Sequence, residues 1–114
     1  MERPSADTIA YFDRLMPNDL RATRGQMFGH PCAFVNGHMF YGTFAQSVVV
    51  RVGAARATTL GLPIFEPMAG RAWREYIQVE PGAIEDARLA ELLELALDET
   101  AKLPPKEKKA PRRK

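Results

Sequence analysis

The chain has 114 residues, 46% hydrophobic and 26% charged, which suits one folded domain with a single core and excludes a disordered polymer. No apolar run approaches the roughly 20 residues that span a bilayer, and Met1-Glu2-Arg3-Pro4-Ser5 lacks the apolar segment of a signal peptide. The net charge of +2 divides into +5 over residues 106–114 and −3 over residues 1–105, which argues against a basic nucleic-acid face on the domain itself. The lone cysteine, Cys32, excludes an internal disulfide and fits a reducing compartment, so a cytoplasmic location is expected.

Ser5 is a good N-cap, and Asp7 in the first turn favours the helix dipole. Ile9, Phe12, Leu15 and Met16 recur at helical spacing, which predicts an amphipathic helix over 6–16 stopped by Pro17. Leu20 to Met27 reads as a strand, followed by a break at Phe28-Gly29-His30-Pro31. Asn36-Gly37 between Cys32-Ala33-Phe34-Val35 and His38-Met39-Phe40-Tyr41 is the preferred chemistry of a two-residue type I′ hairpin. That register pairs Val35 with His38, Phe34 with Met39, Ala33 with Phe40 and Cys32 with Tyr41. Val48 to Val52 continues the meander as a third strand.

Gly53 to Leu60 predicts a short helix closed by Gly61 and Pro63. Residues 62–70 read as an ordered loop or a short edge strand. Trp73 to Val79 is β-rich, with Trp73, Ile77 and Val79 expected on one face. Pro81 suits a helix start, and Leu89, Leu92, Leu93, Ala96 and Leu97 form one stripe of a long helix running to about Leu103. Pro104-Pro105 ends it, and the Lys/Arg/Pro segment of 106–114 is expected to be disordered. The expected fold is α+β in two layers, a mainly antiparallel sheet with a central meander packed against N-terminal and C-terminal helices.

Met27-Phe28-Gly29-His30, then Asn36-Gly37-His38-Met39-Phe40, then the valine strand resembles the TfoX/Sxy N-terminal domain. That family carries a Met-Phe-Gly-Gly element, an Asn/Asp-Gly turn and a Met-Phe pair in the same order. His30 stands where the family favours a second glycine. The resemblance covers residues 5 to 103. It implies a domain at 1–105, a two-layer α/β fold, and a regulatory role linked to DNA-uptake competence.

His30, Cys32 and His38 are the only soft metal-ligand or nucleophile candidates. The hairpin register places Cys32 and His38 on opposite faces, which makes a poor zinc or Cys–His site, so the histidines read as surface or loop groups. Glu91, Glu94, Asp98 and Glu99 lie on the solvent side of the last helix, and no glycine-rich turn feeds a phosphate loop. No enzymatic activity, cofactor or metal is expected. The hairpin is apolar on both faces, Ala33, Val35, Phe40 and Phe44 on one and Cys32, Phe34, Met39 and Tyr41 on the other. Phe34, Met39 and Tyr41 are therefore candidates for docking a protein partner or a second copy of the chain. In the second reading the chain associates with nucleic acid, its phosphate contacts made by Lys106, Lys108, Lys109, Arg112, Arg113 and Lys114.

Overall fold

A computed structural model describes residues 3–27 and 29–105. Phe28 and the basic segment 106–114, including its six candidate phosphate contacts and its expected disorder, lie outside the described residues. The elements run α1 (Ala6–Leu15), β1 (Thr23–Met27), β2 (His30–Val35), β3 (His38–Phe44), β4 (Ser47–Arg51), α2 (Ala54–Thr59), β5 (Ile64–Met68), β6 (Arg71–Val79) and α3 (Asp86–Ala101). The strands form one antiparallel sheet in the order β1-β2-β3-β4-β6-β5. This is the α+β two-layer fold that the sequence predicts. None of the described helices is long and apolar enough to cross a membrane.

The helices share one face of the sheet. Leu89, Leu92, Leu93, Ala96 and Leu97 of α3 are buried against Ala33, Val35, Phe40, Tyr41, Val48, Val50, Ile77 and Val79, with Tyr11 and Phe12 of α1 completing the core. Each fully buried leucine contributes about 2 kcal/mol through the hydrophobic effect. Ser5 caps α1 by accepting from the Thr8 N–H at 3.2 Å. The strand predicted from Leu20 begins only at Thr23, because Asp19 folds the chain into a turn. Its carboxylate accepts from the Arg21 N–H at 2.8 Å, and its carbonyl accepts from the Ala22 N–H at 3.0 Å. The Arg21 guanidinium in turn holds that carboxyl down to about 2.

The hairpin turn is as predicted, with Asn36 and Gly37 at φ 54° and 81°. Its register is not. Val35 pairs with His38 and Phe34 with Met39, but Ala33 then pairs with Tyr41 and Cys32 with Gly42. Phe40 is the extra residue of a β-bulge, so every β3 side chain beyond it faces the opposite way from the simple alternation. Phe40 and Tyr41 both enter the helix-side core, and Phe44 moves to the other face.

Two further boundaries and one side-chain direction differ from the expectation for local reasons. His30 and Pro31 belong to β2 rather than to a break, with Gly29 at φ 81° in the turn before them. Pro81 precedes Gly82 (φ 86°) in a turn closed by the Ala83 N–H on the Glu80 carbonyl, so α3 starts after Glu85. Register shifts beside Phe65 turn Trp73 away from Ile77 and Val79, onto the face that carries no helix.

Candidate functional site

The helix-free face of the sheet is apolar and concave. A cavity of about 120 Å³ opens on it, and all six strands contribute to its lining, from Met27 of β1 to Phe65 and Pro67 of β5. Strands at the two edges of one sheet can share a cavity only if the sheet curls, as twist and the β3 bulge promote. Curling also explains how Cys32, Val49 and Phe65 are nearly inaccessible without a second layer of helices above them.

One wall is a chain of rings packed edge to face. Centroids are 5.0 Å apart for Phe44 and Phe65, 5.1 Å for Phe65 and Trp73, and 5.3 Å for Trp73 and Tyr76. The Tyr76 hydroxyl reaches across to donate to the Met39 carbonyl at 2.9 Å, and burial pushes its pKa up to about 12. Trp73 forms the rim and remains 40% exposed. A second, more polar groove adjoins the cavity, where Phe34, His38 and Met39 meet Arg51 and Tyr76. Arg51 is paired with Glu75 there.

The floor carries the polar groups. Thr43 donates its hydroxyl to the Pro31 carbonyl at 3.0 Å, and the Cys32 thiol donates to the His30 carbonyl at 3.4 Å. Burial pushes the Cys32 thiol up, so it is held as a neutral thiol rather than an activated thiolate. His30 is 6% exposed, and its Nδ1 has no hydrogen-bond partner among the described residues. An unpaired buried ring nitrogen costs about 1–3 kcal/mol, so this atom is the feature of the floor most in need of a partner.

Of the residues expected to form a docking patch, Phe34 and Met39 lie half-buried on this face. Tyr41 does not join them. The bulge at Phe40 turns it into the core, fully buried against Phe12. His30 also departs from expectation, being buried beneath the cavity rather than on a surface loop. His38 lines the adjoining groove and not the cavity, its Nε2 lying 2.9 Å from the Pro104 carbonyl beyond α3. Among the described residues no three His, Cys, Asp or Glu side chains gather where they could hold a metal ion. The sequence reading did not single out Met27, Phe44, Phe65, Trp73 or Tyr76 for the site. Alternation by two puts Trp73 and Tyr76, three residues apart, on opposite faces, so only the irregular pairing of β5 with β6 brings them together and no local spacing marks them.

The chain matches no protein-family model, no curated protein and no solved structure.

Proposed function

We propose that this chain is a non-enzymatic regulatory module of the TfoX N-terminal type, and that it acts by binding a protein partner through the concave face of its sheet. The observation that carries the reading is the division of labour between the two faces. Three helices bury one face, whereas the other presents recessed apolar groups behind an exposed Trp73. Recessed apolar walls with a tryptophan at the rim match the anatomy of surfaces that receive an apolar side chain from a partner. Arg51 beside this face is already paired with Glu75, and the cavity on it is lined by apolar groups, so attraction of a polyanion is not what the face is built for.

The test compares two purified forms of the tagged chain, wild type and Trp73→Lys, exposed to the same nuclease-treated lysate. Trp73 is exposed enough for the change to leave the fold intact, which circular dichroism checks. A protein held stoichiometrically by the wild type and lost from Trp73→Lys supports the reading. Retention by both forms places the contact elsewhere and defeats it. Light scattering on the same two samples identifies a second copy of the chain as the partner if only the wild type self-associates.

A further inference from the structure

We propose that the open edge of β1 is a self-pairing surface, on which a second copy of this chain lays its own β1 antiparallel across a two-fold axis at Gly25. The surface is separate from the concave face and does not depend on a partner docking there.

The two edges of the sheet are built differently. β5 is a blunted edge: Pro67 has no N–H to offer, and the register shifts on both sides of Phe65. β1 has no such device. It pairs with β2 from Thr23 to Met27 without interruption, contains no proline or lysine, and leaves Thr23, Arg24 and Gln26 exposed. Of its residues only Met27 lines the cavity or the adjoining groove, so the rest of the edge lies clear of both.

The register of β1 on β2 decides which backbone groups are free. Gln26 stands opposite Pro31, which has no N–H and whose carbonyl accepts from the Thr43 hydroxyl of β3. The polar groups of Pro31 therefore face β3, and Gln26 takes no ladder bond from β2. Antiparallel alternation then bonds Thr23, Gly25 and Met27 to β2 and turns the N–H and C=O of Arg24 and Gln26 outward.

These two residues flank Gly25 symmetrically, which makes the edge complementary to itself. With the axis at Gly25, Arg24 of each copy meets Gln26 of the other, and each pair exchanges both backbone bonds. The two copies of Gly25 then meet in the close pair, where Cα atoms approach to about 4.5 Å. The Phe34 ring, 3.2 Å from where a Gly25 Cβ would stand, brings an apolar group to the axis from each copy. An axis at Arg24 would instead oppose two guanidinium groups, and one at Gln26 would carry Arg24 past the end of the other strand. A strand of five residues buries less than the roughly 1,200 Å² of a standard interface, so the dimer forms reversibly between micromolar and millimolar concentration.

The test is sedimentation velocity of the full chain across that range, with circular dichroism confirming the fold of each variant. The wild type should pass from monomer to dimer, and the Arg24 and Gln26 amides should exchange more slowly as concentration rises. Gln26→Pro removes an N–H that the fold does not use and should leave a folded monomer at millimolar concentration. Gln26→Glu places a carboxylate opposite Arg24 in both pairs and should tighten the dimer about 2- to 30-fold, less so in high salt. Trp73→Lys should dimerise as the wild type does, which separates this contact from one on the concave face. A wild type that stays monomeric at millimolar concentration overturns the proposal and leaves the edge to a strand of another protein. A dimer of folded Gln26→Pro, an affinity unchanged by Gln26→Glu, unprotected Arg24 and Gln26 amides, or a dimer lost in Trp73→Lys each overturns it as well.

Discussion

Tyr41 lies flat against Phe12, ring centroids 4.3 Å apart, and donates its hydroxyl to the Phe12 carbonyl at 2.9 Å. Phe12 sits in the last turn of α1, where carbonyls run out of helical partners, and the Met16 N–H bonds Asp13 instead. A side chain of the sheet therefore satisfies the end of a helix and packs on the ring of the same residue. Tyr41→Phe keeps the stack but leaves that buried carbonyl bare, and should destabilise the fold by about 1–3 kcal/mol. The measurement is the urea midpoint, which should fall while the slope of the transition stays unchanged.

That contact also shows where sequence reasoning stops. Ser5, the Asn36-Gly37 turn and the leucine stripe of α3 are legible because capping, turn chemistry and helical spacing are local properties. The bulge at Phe40 is not local. Simple alternation leaves Tyr41 on the open face and Phe44 in the core, and nothing within His38 to Phe44 marks the inserted residue. The exchange is decided by packing: Tyr41 gains Phe12 and its carbonyl, and Phe44 gains Phe65 across the curled sheet. The site inherits this difficulty, since its walls come from six strands and only the hairpin's share of them is evident in one stretch of sequence.

The Asn36-Gly37 turn does more than reverse the chain. The Asn36 amide donates to the Ala101 carbonyl at 3.1 Å, capping the C-terminal end of α3 from 65 positions away. Asn36→Gly keeps the left-handed backbone and loses only the amide, whereas Asn36→Ala loses both. Asn36→Ala should therefore cost about 1–2 kcal/mol more than Asn36→Gly, as read from their unfolding midpoints. In both variants hydrogen exchange should accelerate at the last turn of α3 ahead of the rest of the helix. Equal midpoints for the two variants would show that backbone conformation contributes nothing at this position.

All three tyrosines are shifted upward by burial: Tyr11, Tyr41 and, to about 12, Tyr76. Cys32 is raised for the same reason. The folded chain thus holds protons that the unfolded chain releases, so stability is fully present below the ordinary tyrosine value near 10 and is lost as pH climbs through the folded values. Absorbance of phenolate should stay low at pH 10, then rise steeply near pH 12 together with loss of far-ultraviolet dichroism. A disulfide reagent at neutral pH should modify Cys32 slowly in the native chain and rapidly in denaturant. A full equivalent of tyrosine titrating at pH 10 in the folded chain would contradict this account.

The charge pattern makes a separate prediction about nucleic acid. Within the fold, Arg14 is paired with Asp86, Arg21 with Asp19 and Asp98, Arg24 with Asp13, and Arg51 with Glu75. Cations already facing carboxylates offer little to a phosphate backbone, and residues 1–105 carry a net −3. Arg3, Arg56, Arg71 and Arg74 form no ion pair among the described residues, but the net negative charge around them opposes a polyanion, so affinity for duplex DNA is expected to reside chiefly in residues 106–114. Their six Lys and Arg side chains can neutralise at most six phosphates, which limits the log–log salt slope to about −5. Binding of that kind is indifferent to base sequence, because phosphate contacts position a protein without reading base edges. The measurement titrates two unrelated duplexes against the full chain and against a chain with all six cations replaced by glutamine, across a series of salt concentrations. The substituted chain should bind neither duplex, and the full chain should not distinguish them. Residual binding by the substituted chain, or preference for one duplex, would make the folded surface a reader of DNA and reverse the charge argument.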